Sequence, residues 1–200
     1  MKKLSASIAA LMLFGTAITI ISCNNQNDTK AVATGSNMSK DSMIKRGEYL
    51  VTIMGCDDCH SPKKLGPHGP EPDMEKRFSG HPSNMPIGTY KPSDLKSWVL
   101  FNQSLTAFVG PWGVSYAANI TSDESGIGSW SEKQFIKALR EGKLKGMDNS
   151  RPMLPPMPWP VYKNASDEDL KAIYAYLKAT PPVENIVPAA MSPERLIAIN

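Results

Sequence analysis

The sequence predicts an all-α fold with long Pro/Gly-rich loops, on three observations. Apolar residues recur at helical spacing in segments that follow Ser39, Ser131 and Ser166. No stretch shows the strict alternation of a half-buried strand. Between the helical segments lie most of the 17 prolines and 14 glycines, which mark irregular backbone. The chain has 200 residues, 41% of them hydrophobic, enough for one domain of ordinary size and its core. Its formal net charge is +3. Setting aside Lys2 and Lys3 leaves 20 of the 22 basic residues against 19 acidic ones, a balance that gives no reason to expect nucleic acid as a partner.

Residues 1–22 read as an export signal: a basic start at Met1-Lys2-Lys3, then a mostly apolar run from Leu4 to Ser22. The run closes in Ile20-Ile21-Ser22-Cys23. That step resembles the lipobox of bacterial lipoproteins, in which the cysteine is acylated and becomes the new N terminus. Several buried acyl chains anchor a protein stably, at about 0.8 kcal/mol per buried methylene. An uncleaved membrane span is the other reading, and the length of the segment suits it too. Either one places the remainder in the bacterial cell envelope, on the periplasmic side or at the outer membrane. Residues 23–38 are polar and aperiodic and read as a flexible tether.

The folded domain is expected over residues 39–183. Its first helix starts near Ser39 or Asp41 and runs to about Gly55, with Met43, Ile44, Gly47, Leu50, Val51 and Met54 on one face. Gly47 on that face suggests the close approach of another helix. From Ser61 to Pro92 seven prolines and four glycines predict an extended wrapping loop. A short helix is expected over Ser93 to Asn102, and loop again over Gly110 to Gly128, anchored by Trp112, Tyr116 and Ile120. Ser131-Glu132-Lys133-Gln134 has the form of a capping box, and Gly142 supplies a stop. Ser166-Asp167-Glu168-Asp169 opens the last helix, which Pro181-Pro182 ends. Residues 184–200 read as a C-terminal tail.

The chemistry sits at Cys56-Asp57-Asp58-Cys59-His60. This is C-x-x-C-H, the attachment signature of a c-type haem. Two thiols at that spacing reach the two vinyl groups of one porphyrin, and the adjacent imidazole becomes the proximal iron ligand. A thiol redox pair or half a zinc site would also use C-x-x-C. With three cysteines in the chain and Cys23 already explained, no second pair exists to complete a zinc site. One covalent haem c is therefore expected. The sixth iron position separates an electron carrier from a catalyst or gas binder. The run Arg151-Pro-Met-Leu-Pro-Pro-Met-Pro-Trp-Pro160 is stiffened by its prolines and offers Met153 and Met157. Met157, flanked by Pro156 and Pro158, is the more constrained and is the expected distal ligand, with Met153 as the fallback. By residue type alone both would read as core methionines; beside C-x-x-C-H one of the two is expected to be the ligand. His68 and His81, the other histidines, lie in the Pro/Gly loop, where a lone histidine is usually solvated.

On these residues the chain resembles a bacterial class I cytochrome c. RGEYLVTIMGCDDCHSPK resembles the haem-attachment helix of that family. NITSDESGIGSWSEKQFIKALREGK and PMLPPMPWPVYKNASDEDLKAIYAYLKATPPV resemble the second half of the haem domains in cytochrome c subunits of membrane-bound alcohol and gluconate dehydrogenases. The resemblance runs from Met43 to Val183, least surely over Leu65 to Leu105. It implies a cytochrome c fold around one haem, and in that family the Met of a Met-Pro-aromatic step is the axial ligand, here Met157-Pro158-Trp159. It implies a last helix crossing the first near Gly47, at Tyr174 or Leu177. Trp130, Asn119 and Arg140 are candidate propionate neighbours. Those subunits carry three haem motifs and this chain has one, so the particular dehydrogenase partnership does not carry over.

The expected function is electron transfer by a lipid-anchored monohaem cytochrome c that is not itself an enzyme. Its donor would be a dehydrogenase or respiratory complex and its acceptor an oxidase or reductase. The alternative is a five-coordinate c-type haem enzyme or gas sensor, peroxidase-like in character. A third reading is a structural lipoprotein whose haem only stabilises the fold.

Overall fold

Three serines set the helical frame. The computed structural model describes residues 38–198; the signal segment, Cys23 and the tether up to residue 37 lie outside the described residues. In α1 (Lys40–Ile53) the Ser39 hydroxyl accepts from the Ser42 N–H at 3.2 Å. α2 is a single turn, Cys56–His60. For α3 (Glu132–Glu141), Ser131 accepts from Gln134 N–H at 3.1 Å. α4 is another short turn, Trp159–Tyr162. α5 (Asp167–Ala179) is capped by Ser166, which accepts from Asp169 N–H at 3.0 Å. α6, Pro193–Ala198, is the last element described. Each cap satisfies an N–H that the first helical turn leaves without a partner. The box at Ser131 is half formed, because the Gln134 side chain donates to the Lys145 carbonyl at 2.8 Å and does not return to its cap. Among the described residues no helix is long and apolar enough to cross a membrane.

The all-α expectation is overturned: the described domain is mixed, with two antiparallel sheets. β1 (Lys63–Gly66) pairs with β2 (Gly69–Pro72) through a turn at Pro67-His68. β3 (Leu100–Phe101), β4 (Ala107–Gly110) and β5 (Gly113–Tyr116) form a three-stranded sheet in that order. The first hairpin contains Pro70 and Pro72, which a two-stranded ribbon tolerates because each strand keeps one edge unpaired. β4 is buried at every position and β5 at three of four. A strand covered on both faces has no polar side to alternate with, so the period-two signal is absent. The helix expected over Ser93 to Asn102 is a 3₁₀ turn at Pro92–Lys96 followed by β3.

The main core lies where α1 crosses α5. Val51, Phe78, Leu170 and Ala172 are fully buried there, with Ile127, Phe135, Leu139, Ile173 and Leu177 around them. Gly47 makes the crossing possible. A Cβ on it would overlap the Ala172 carbonyl and lie 2.6 Å from Tyr176 Cβ. The helix expected at this glycine is the right one, but Ala172 and Tyr176 meet it, not Tyr174 or Leu177. Tyr174 turns instead to the Trp130 carbonyl, to which its hydroxyl donates at 2.6 Å.

A smaller cluster gathers Val109, Val114, Ile87, Tyr90, Leu100 and Met191 about the second sheet. Met191 bridges to Val114 with N–H donors in both directions, at 2.9 and 3.0 Å, so the C-terminal segment continues the sheet at β5.

Gly47→Ala should therefore destabilise the domain by about 2 kcal/mol through overpacking, a fall of roughly 4–8 °C in Tm by calorimetry. An unchanged Tm would mean that α5 can slide away from α1 at little cost.

Candidate functional site

α1 delivers the chain into the C-x-x-C-H turn. Gly55, in the left-handed conformation at φ 67°, makes the corner between α1 and α2. Cys56 and Cys59 are free thiols, both partly buried. Burial and the neighbouring Asp57 and Asp58 charges push the Cys56 thiol up to about 12. Burial, then Asp58, raises Cys59. Neither is a reactive thiolate, which argues against a thiol redox pair. Among the described residues no three His, Cys, Asp or Glu side chains are grouped to hold a metal ion.

His60 is oriented by a single bond. Its Nδ1 lies 2.7 Å from the Ala118 carbonyl. A carbonyl only accepts, so Nδ1 carries the proton and Nε2 keeps its lone pair. Burial lowers the His60 pKa against the opposing pull of that bond, which favours the neutral ring. No described residue hydrogen-bonds to Nε2, and no buried side-chain nitrogen or oxygen lacks a partner, so Nε2 opens onto accessible space. A neutral imidazole with its other nitrogen fixed by a carbonyl is the usual state of a metal-ligating histidine. Two neutral thiols beside it fit a haem held by thioethers.

Gly80 lets Ala118 come so close. Its N–H donates to the His60 carbonyl at 2.7 Å. Its φ is +77°, and a Cβ would lie 2.5 Å from the Ala117 carbonyl oxygen. Next in the chain, His81 is fully buried, not solvated as its loop position suggests. Its Nε2–H donates to the Met85 carbonyl and its Nδ1 accepts from Thr106 Oγ1, both at 2.9 Å. Both ring nitrogens are therefore spent. His68 is exposed at the tip of the first hairpin.

The Pro-rich run is held from three sides. Met153 N–H donates to the Gly142 carbonyl at 2.7 Å, which ties the start of the run to the end of α3. Ser115 Oγ donates to the Pro155 carbonyl at 2.5 Å, which ties its middle to β5. Trp159 covers Gly142, where a Cβ would collide with the ring. Tyr162 at the end of α4 donates to the Met54 carbonyl at 2.6 Å, two residues before Cys56. Met157 and Cys56 pack, half-buried, against the same core cluster, together with Ile120, Trp130 and Tyr162. Met153 is also half-buried but is not part of that cluster.

Asp57, the first residue between the cysteines, anchors a network that the sequence reading missed. Its carboxylate accepts from Ser61 Oγ at 2.7 Å and from Arg77 Nε and Nη2 at 2.9 and 2.6 Å. Arg77 Nη1 donates to the Tyr176 hydroxyl at 3.0 Å. Lys63 Nζ caps the motif from below, donating to the carbonyls of Asp57, Asp58 and Ser61 at 2.9, 3.0 and 2.5 Å. Of the candidate propionate neighbours, Asn119 Nδ2 donates to the Val183 carbonyl at 2.8 Å, and Arg140 pairs with Asp167 at 2.5 Å. Trp130 packs on the core. A groove of about 700 Å³ lies between the first hairpin and β3–β4, and neither cysteine, His60 nor Met157 lines it.

No family model matches the chain. It is 35% identical over 145 residues to the gluconate 2-dehydrogenase cytochrome c subunit of Pantoea cypripedii, a match covering 72% of this chain and 24% of that protein. It is 30% identical over 150 residues to the alcohol dehydrogenase (quinone) cytochrome c subunit of Gluconobacter oxydans (strain 621H), covering 73% and 24%. Against the fructose dehydrogenase cytochrome subunit of Gluconobacter japonicus it is 29% identical over 136 residues, covering 67% and 20%. The chain thus spans about a quarter or less of the length of these relatives.

Burial pushes the Asp57 carboxyl up, but the Arg77 and Ser61 hydrogen bonds and the Arg77 charge outweigh it and hold it below the usual range. A carboxyl depressed on folding stabilises above its unfolded value, about 3.9, and loses that contribution as pH falls through its folded value. The stability gap between the native protein and Asp57→Asn should therefore be full at about pH 6 and vanish at low pH. Urea unfolding across that range measures it, and a gap that does not change with pH would contradict the assignment.

Proposed function

We propose, starting from the homology of this chain to cytochrome c subunits of gluconate, alcohol and fructose dehydrogenases, that it binds one covalent haem c and passes single electrons. The observation that carries this reading is His60. It follows two neutral thiols in C-x-x-C-H, its Nδ1–H is fixed on Ala118, and its Nε2 is free to ligate. Cys56 and Cys59 would hold the group through thioethers, and His60 Nε2 and Met157 would ligate its iron. When bound, the haem supplies a one-electron ferrous–ferric couple.

The chain's own residues fix the rest. The anchors at Pro155, Trp159 and Tyr162 limit how far Met157 can move, so the thioether is kept in place at little ordering cost. Shared packing of Met157 and Cys56 on one cluster favours Met157 over Met153. A sixth position closed by the protein leaves no site for a substrate, so the role is that of a carrier. The donor is a dehydrogenase or respiratory complex and the acceptor an oxidase or reductase. Acylation at Cys23 holds the domain to a membrane of the cell envelope, motivated by Ile20-Ile21-Ser22-Cys23.

The native protein should keep its haem after acid denaturation and, when reduced, should not bind carbon monoxide. Met157→Ala should keep the haem, bind carbon monoxide and lower the midpoint potential, while Met153→Ala does neither. Rapid carbon monoxide binding by the native protein would replace the carrier with the five-coordinate enzyme or sensor.

For the anchor, mass spectrometry of the mature N terminus should find an acylated Cys23, and Cys23→Ser should release the protein from membranes. An unmodified Cys23 or an intact signal segment would refute it.

A further inference from the structure

The Asp57 carboxylate stands inside the attachment motif, between the two cysteines, with its side chain 22% exposed. An anion there favours the ferric state of a neighbouring iron, because it stabilises the added positive charge. Lys63 does not pair with it through its side chain, since its donors go to the carbonyls of Asp57, Asp58 and Ser61. Arg77 faces the carboxylate with two nitrogens on one side chain, the Nη2 contact at 2.6 Å, and spends Nη1 on Tyr176 of α5. It is held there by Phe78, which is fully buried in a left-handed conformation at φ 64° and donates its N–H to Ser61 Oγ at 2.9 Å. Arg77 also lies over the Phe78 ring, 4.4 Å from its centroid. A bulky residue rarely adopts that φ, so the backbone is held in a costly shape that presents Arg77 to Asp57.

We propose that Arg77 is a positioning residue for the iron site: it neutralises Asp57 within the haem-attachment turn and so holds the midpoint potential up, while its Nη1 bond to Tyr176 ties that turn to α5. This inference rests on the haem-carrier reading. A partly buried ion pair screened little by salt affects the iron more than a surface charge would. Tyr176 sets the angle of the guanidinium and carries no charge, so its hydroxyl should matter to stability and not to potential. The same tyrosine packs against Gly47, so the pair also links the motif to the α1–α5 crossing.

The test is the midpoint potential of the haem-loaded full chain, by spectroelectrochemistry at about pH 8, where the carboxylate is ionised. Arg77→Gln should shift the ferric-to-ferrous ratio at fixed potential roughly tenfold toward ferric, a fall of about 59 mV for one electron. Asp57→Asn should move it the opposite way. The Arg77→Gln/Asp57→Asn pair should return to within about twofold of the native ratio, because a neutral amide needs no counter-charge. Arg77→Lys should recover most of the native ratio, and Tyr176→Phe should keep it while lowering Tm. A merely structural Arg77 would lower stability in each variant without opposite signs or cancellation, and that result overturns the inference. If Arg77→Gln does not fold, the Asp57→Asn rise and the Arg77→Lys recovery decide, and the absence of either overturns it. Haem content separates the two claims. A native protein without covalent haem defeats the carrier reading and this inference with it, whereas full haem with unmoved potentials defeats this inference alone.

Discussion

The contact between the Ala118 carbonyl and His60 Nδ1 is the constraint on which the site depends. It joins residues 58 apart in sequence and fixes a tautomer, because only one partner can donate. To bring Ala118 back to the motif the chain must leave it, fold a hairpin and a three-stranded sheet, and return in extended form after β5. The sheet therefore has a specific job. Thr106 accepts from Ala117 N–H at 2.8 Å and His81 N–H donates to the Ala117 carbonyl at 2.9 Å, so the returning strand is held on both edges before it reaches the imidazole. Gly80 occupies the point of closest approach, where any side chain would collide with backbone.

A second constraint runs through α5. One stripe of that helix, Ala172 and Tyr176, meets Gly47 of α1, while the Tyr176 hydroxyl accepts from Arg77 and so reaches the motif. The core crossing and the C-x-x-C-H turn are thus mechanically one unit. Phe78 is central to both, since its ring is fully buried in the core and sits edge-on to Tyr176 at 6.3 Å. Its backbone carbonyl accepts from Ile120 N–H at 2.9 Å, the residue two past Ala118. Burial of that ring, worth about 2 kcal/mol or more, offsets the strain of its left-handed backbone.

The three long helices, α1, α3 and α5, were legible because each announces itself twice, whereas the short turns α4 and α6 were not. Ser39, Ser131 and Ser166 carry the cap, and the apolar period follows at once. The sheets carried no comparable signal. Ala107-Phe108-Val109-Gly110 is buried throughout, and Gly110-Pro111-Trp112-Gly113 reads as loop until the pairing of Gly110 with Gly113 makes it a hairpin turn. At the site, Cys56, Cys59 and His60 stand out in the sequence as a motif, whereas the residues that hold them in place do not. Ala118 acts through its carbonyl, which every residue has, so no letter of the sequence marks it. Arg77 and Asp57 are 20 residues apart across a hairpin that the reading did not contain, so nothing suggested the pair. The solvated reading of His81 failed for a related reason. Its partners, Thr106 and Met85, become neighbours only once the sheet is formed.

The C-terminal segment extends the same logic beyond the expected domain boundary. Asn185 Nδ2 donates to the carbonyls of Ser79 and His81, at 2.7 and 2.8 Å, which flank Gly80. Asn119, one residue after Ala118, donates to the Val183 carbonyl and accepts from Thr121 N–H at 2.9 Å. The segment therefore clamps both backbones that meet at the imidazole, the Gly80 turn from one side and the Ala118 strand from the other. Both carbonyls belong to buried residues and would otherwise lack a partner. With one amide nitrogen on both, these two bonds add to those that the Gly80 and His81 N–H groups make to the His60 and Ala117 carbonyls. His60 is thus oriented by a carbonyl whose own position is set by a chain segment more than sixty residues further on. That is why a single backbone contact is sufficient to hold a side chain that the motif itself leaves free to rotate.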